Sequence, residues 1–132
     1  MTETAVVRRV VIADDDPDIR ALMEIAAMRA GVEIVASVDN GQAVLDAVEP
    51  GGVDLIVLDI SMPGMSGLEV ADRMRSDSRF DATQILIVSA SVQMLTDQAS
   101  VEVRSDRFIV KPFSPRQLAA TITEMLERSD SV

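Results

Sequence analysis

The chain has no cysteine and no histidine. Those two absences exclude a disulfide framework, thiol chemistry, Ser-His-Asp and Cys-His catalysis, and every Cys/His metal site. Any metal held by this sequence is a hard ion on oxygen ligands. Tryptophan and tyrosine are also missing, and the three phenylalanines, Phe80, Phe108 and Phe113, offer little for base stacking. Positive charge is scarce: 12 Lys and Arg stand against 22 Asp and Glu, a net charge of −10. That sign opposes a nucleic-acid or anionic-membrane surface, so neither is expected as a partner. The apolar runs reach only about five residues, too short for a signal peptide or a membrane span, and the cytoplasm is the expected compartment.

What remains is an ordinary globular composition. The 132 residues, 48% hydrophobic and 26% charged, suffice for one domain with a buried core. Short apolar runs recur at Val10–Ala13, Ile34–Ala36, Leu55–Leu58, Ile85–Val88 and Phe108–Val110. They are rich in β-branched residues and do not alternate with polar ones, the pattern of strands buried on both faces. Between them lie segments of helical spacing. Ile19, Leu22, Met23, Ala26 and Ala30 form one apolar stripe, with Gly31 placed to end the helix; Leu118, Ile122, Met125 and Leu126 form another. Helix starts are marked by Asp16-Pro17, Asn40-Gly41 and two capping-box sequences, Ser66–Glu69 and Ser114–Gln117. Residues 92–106 read as a further helix. Five βα units in one domain call for a parallel sheet with right-handed crossovers and helices on both faces. The domain is expected over residues 7–128, with flexible ends at 1–6 and 129–132.

In such a sheet, ligands bind beyond the carboxyl ends of the strands. The expected strands end in Asp14-Asp15-Asp16, Asp59, Ser89 and Lys111-Pro112. Asp16 alone is explained as a helix cap, and a serine or lysine at a strand end is commonly a turn residue or a solvated charge. Asp59 directly follows Leu-Ile-Val-Leu, where charge is expensive to hold. Two carboxylates ~5 Å apart repel by roughly 3 kcal/mol at an effective dielectric near 20. A divalent cation cancels that repulsion, and Mg²⁺ suits a site of few protein oxygens shared with a phosphate. Asp14, Asp16 and Asp18 imitate the start of an EF-hand loop, but Ile19 and Ile25 occupy the positions that need Gly and Glu. No Gly-x-Gly-x-x-Gly or Walker loop follows the first strand.

VVIADDDPDIRALM, DLIVLDISMPGMSGLEV, ILIVSAS and FIVKPF together resemble the four signature stretches of bacterial two-component response-regulator receiver domains, over roughly residues 7–128. The resemblance implies a flavodoxin-like fold with strand order 2-1-3-4-5. It implies that Asp59 accepts a phosphoryl group. Asp14, Asp15, Asp59 and the backbone carbonyl of Ser61 would hold Mg²⁺ (or Mn²⁺), with Asp15 a direct ligand and Asp14 acting through water. Ser89 and Lys111 would bind the phosphoryl oxygens, the Lys111–Pro112 bond would be cis, and Ser89 and Phe108 would form the switch. Where the family commonly has a Gly-containing turn before the fifth strand, this chain has Val103-Arg104-Ser105-Asp106-Arg107.

The function expected is that of a stand-alone phospho-acceptor, not an enzyme. It would be phosphorylated by a sensor histidine kinase or a histidine phosphotransfer protein and would signal by docking to a downstream protein. The alternatives are a phosphorelay intermediate and a pseudo-receiver that never takes phosphate. A phosphatase of the haloacid-dehalogenase type is disfavoured, since it needs a second Asp where Ser61 stands.

Overall fold

The computed structural model describes residues 7–90 and 106–130. In chain order it contains β1 (Arg9–Ala13), α1 (Pro17–Arg29), β2 (Glu33–Val38), α2 (Gly41–Val48), β3 (Leu55–Asp59), α3 (Gly67–Arg75), a 3₁₀ turn (Ser78–Phe80), β4 (Gln84–Ser89), β5 (Arg107–Val110) and α4 (Pro115–Asp130). The strands form one parallel sheet in the order β2-β1-β3-β4-β5. The expected helix over 92–106 lies outside the described residues, save for Asp106. So do the two ends at 1–6 and 131–132. Helix α4 continues to Asp130, past the expected boundary at 128, and no Gly or Pro interrupts Glu127–Asp130.

The sequence signals for helix ends act as expected. Asp16 caps α1 by accepting from the amides of Asp18 and Ile19, with Pro17 at the first helical position. Gly31, at φ +76°, follows the last turn in the left-handed region that glycine tolerates best. Asn40 accepts from the Ala43 amide, and Ser66 and Glu69 complete a reciprocal capping box. Ser114 accepts from the amide of Gln117 at 3.0 Å.

The strand pleat divides the core in two. Val11, Ala13, Ile56, Leu58, Ile85 and Ile87 face α2 and α3. Val10, Ile12, Leu55, Val57, Leu86 and Val88 face α1 and α4, where Met23, Ala26, Leu118, Ile122 and Met125 meet them. Each fully buried Ile or Leu contributes about 1.5–3 kcal/mol over its exposed state. The expectation of burial on both faces holds for β1, β3 and β4, the three inner strands. It fails at the edges: β2 is half-buried or exposed throughout, and in β5 only Ile109 is buried. An edge strand lacks a neighbour on one side, and a short apolar run carries no mark of its place in the sheet.

Candidate functional site

The carboxyl ends of β1, β3, β4 and β5 meet at one edge of the sheet, and the polar residues gather there. Asp14 follows β1 and is fully buried. Asp59 is the last residue of β3 and is 4% exposed, while Asp15 is open to solvent. One carboxylate oxygen from each of Asp14, Asp15 and Asp59 lies within 4.8 Å of the others. Lys111, immediately after β5, donates from Nζ to Oδ2 of Asp14 at 2.8 Å and to Oδ1 of Asp59 at 3.2 Å. The Lys111 amide donates to the carbonyl of Ser89 at 2.6 Å, and the Lys111–Pro112 peptide is cis.

The other expected residues lie on β4, on the β3–α3 connection and on β5. Ser89 closes β4 and is buried. Ser61 lies two residues beyond Asp59 and is exposed, between the buried Ile60 and Met62. Phe108 lies within β5 with 43% of its surface exposed.

Two residues not singled out by the sequence patterns also build the site. Arg20, in the first turns of α1, reaches back to donate from Nη1 to the carbonyl of Asp14 at 2.8 Å. Gly67 opens α3, and its amide donates to the carbonyl of Ile60 at 2.8 Å. A β-carbon on Gly67 would come within 2.9 Å of the Ile60 Cα and closer still to the Asp59 carbonyl. The β3–α3 connection therefore admits nothing larger than glycine there. Neither signal was legible beforehand, because a side-chain bond to a carbonyl has no sequence pattern and Ser66–Glu69 already explained Gly67 as helix start.

The electrostatics follow from crowding. Burial, then the charge of Asp14, pushes the Asp59 carboxyl above the ordinary carboxylate range, although Lys111 pulls the other way. Burial alone would push the Lys111 ammonium down. Its hydrogen bond to Asp14 and the charge of Asp59 outweigh that and hold it above the ordinary lysine value. The site thus contains an acid that is costly to ionise and a cation fixed between two acids. Its donor set, three carboxylates, fits a hard divalent cation such as Mg²⁺. Both oxygens of Asp14 are already engaged, Oδ1 by the Asp16 amide at 2.9 Å and Oδ2 by Lys111. Asp15 and Asp59 are therefore better placed to be direct ligands.

A family model for the response regulator receiver domain matches residues 10–123. The chain belongs to that family. Receiver domains are phospho-acceptor signalling domains of two-component systems, and this one shares the arrangement of other members. It is 33% identical over 122 residues to the phosphate regulon transcriptional regulatory protein PhoB of Pseudomonas aeruginosa, covering 92% of this chain and 53% of that protein. It is 30% identical over 123 residues to the DNA-binding response regulator MtrA of Mycolicibacterium smegmatis, covering 93% of this chain and 52% of that one. The receiver thus spans about half the length of the curated relatives it matches. Among solved structures it is similar to the chemotaxis response regulator CheY4 of Vibrio cholerae, with TM-score 0.79, 27% identity, and coverage of 94% of this chain and 99% of that one. It is also similar to the response regulator TrrA of Thermotoga maritima, determined in complex with Mg²⁺ and BeF, with TM-score 0.77, 32% identity, and coverage of 90% and 99%. Among the described residues no helix is long and apolar enough to cross a membrane.

Proposed function

We propose that Asp59 is the phospho-acceptor of this receiver, within a domain spanning residues 7–128. The observation that carries the reading is the ammonium of Lys111 shared between Asp14 and Asp59, with Asp15 completing the same ring of oxygens. An oxygen of the Asp59 carboxylate attacks the phosphorus of a partner's phosphohistidine. The P–N bond breaks, and its electron pair leaves with the imidazole nitrogen. This chain has no histidine, so the donor comes from a sensor histidine kinase or a histidine phosphotransfer protein. The product is a mixed anhydride, which water cleaves, so the signal is transient and the domain acts as a signalling acceptor, not as an enzyme on a separate substrate.

Asp15 and Asp59, with Asp14 behind them and the carbonyl of Ser61, would hold Mg²⁺ (or Mn²⁺). The ion would supply positive charge to the equatorial phosphoryl oxygens. Lys111 supplies the protein's own share of that charge. Ser89, at the end of the neighbouring strand, takes a phosphoryl oxygen once Asp59 is modified. Its movement, together with an inward turn of Phe108, reshapes the face that docks a downstream protein in the cytoplasm.

Acetyl phosphate and Mg²⁺ followed by intact-mass measurement test the assignment. The wild-type chain gains one phosphoryl group and Asp59→Asn gains none. Stable modification of that variant at another residue overturns the reading.

A further inference from the structure

Asp14 is bonded at every polar atom it has. Its amide donates to the carbonyl of Val38 at 3.1 Å, Oδ1 accepts from the Asp16 amide, and Oδ2 accepts from Lys111. Its carbonyl accepts from Arg20. The first three bonds fix the side chain and one flank of the backbone. The fourth acts on the peptide group joining Asp14 to Asp15, and the orientation of that peptide sets where the Asp15 side chain departs.

Asp15 needs such help. It lies beyond the end of β1 and is exposed. Arg20 is well suited to give it, because it stands on α1, whose start is fixed by the Asp16 cap and Pro17. Arg20 is half-buried and bonds across a separation of six positions, from helix back to strand end. We infer that Arg20 is a positioning residue for metal binding: by holding the Asp14 carbonyl it orients Asp15 toward Asp59. The inference rests on the reading of Asp14, Asp15 and Asp59 as the Mg²⁺ site and adds to it a residue that touches neither metal nor phosphate.

The sign of the effect separates positioning from charge. Removing a cation beside three acids would, by charge alone, tighten binding of a divalent cation. Removing a support of a ligand's orientation weakens it, typically by 10–100-fold for partners that act through a ligand. Calorimetric titration of Mg²⁺ into the full chain tests this with Arg20→Met, which keeps the helical stem and loses the donor, and with Arg20→Lys, which keeps a donor. Arg20→Leu is a second variant without a donor should Met disturb the fold. Expected are a roughly tenfold weaker dissociation constant for Arg20→Met, partial recovery in Arg20→Lys, and a shifted Asp15 amide resonance in metal-free Arg20→Met. Binding that is unchanged or tighter in Arg20→Met overturns the inference, whatever its melting temperature. Wild-type protein that binds no Mg²⁺, or Asp15→Asn that binds it normally, overturns instead the underlying reading of the site, and the role of Arg20 falls with it.

Discussion

Gly67 packs directly on the backbone of Asp59: a β-carbon there would lie 2.2 Å from the Asp59 carbonyl oxygen. Helix α3 is thereby pressed against the backbone of Asp59 itself. Two effects compete in Gly67→Ala. Helix propensity favours alanine by up to about 1 kcal/mol. Overpacking against rigid backbone costs about 1–3 kcal/mol or more, and a contact this short belongs at the upper end. The variant is expected to unfold at lower urea concentration than wild type, with a net loss of about 2 kcal/mol. Equal or greater stability would mean that α3 has room to withdraw.

The raised pKa of Asp59 makes a signed prediction for the metal-free protein. The folded state holds the proton more tightly than the unfolded chain, whose carboxyl titrates near 3.8. Between that value and the higher folded one, the native state binds more protons, so stability falls as pH rises and the deficit persists at neutral pH. Asp59→Asn, which carries no charge, is expected to melt higher than wild type at pH 7 without metal. The difference should shrink as pH is lowered toward 3.8. A variant that melts lower at pH 7 would show that the attraction of Lys111 outweighs burial. Lys111, whose value is also raised, gives the same falling slope in a higher window but stabilises at neutral pH: its contribution is present below 10.5 and is lost as pH rises through the higher folded value.

Added Mg²⁺ should stabilise the folded receiver, since the unfolded chain does not assemble the three carboxylates. At 100 times the dissociation constant the gain is about 2.7 kcal/mol. Asp15→Asn should lose most of it while being no less stable than wild type without metal, because one source of repulsion is gone. Thermal melts with and without the ion check both halves. A full Mg²⁺ response in Asp15→Asn would remove that residue from the ligand set.

Asp106 ties the start of β5 to its neighbours. Its Oδ2 accepts from the buried Ile85 amide at 2.7 Å and from Nη2 of Arg75 at 3.2 Å. Arg75 also donates to the carbonyls of Phe80 and Thr83. Asp106→Ala leaves the Ile85 amide without this acceptor, a loss of about 1–3 kcal/mol, and hydrogen exchange at Ile85 and Phe108 should accelerate. Unchanged exchange there would mean that water or another acceptor replaces the carboxylate.

The parts of the molecule legible in the sequence were those written in local pattern. Leu55–Leu58 announced a buried strand, Asp16-Pro17 and Ser66–Glu69 announced helix starts, and Asp59 after four apolar residues marked the acid that the fold buries beside Lys111. Long-range pairings were not legible. Arg20 to Asp14, Arg75 to Asp106 and Gly67 on Asp59 all depend on how elements approach one another. The segment Val103–Arg107 read only as a departure from the family's Gly-containing turn, yet its Asp106 is a hydrogen-bonding anchor. Nor did Ile34–Ala36 reveal that its strand lies at the rim, because the run has the same β-branched character as its inner counterparts.

The bond from Lys111 to Asp14 spans 97 positions of sequence. During synthesis, the acids therefore leave the ribosome long before the cation that reconciles them. Until β5 docks beside β4, a closing sheet would bring Asp14 and Asp59 together without Lys111 between them. By charge alone, the pairing of these two acids costs more until the last strand brings its ammonium between them. The same short segment that completes the sheet therefore also completes the charge balance at its edge.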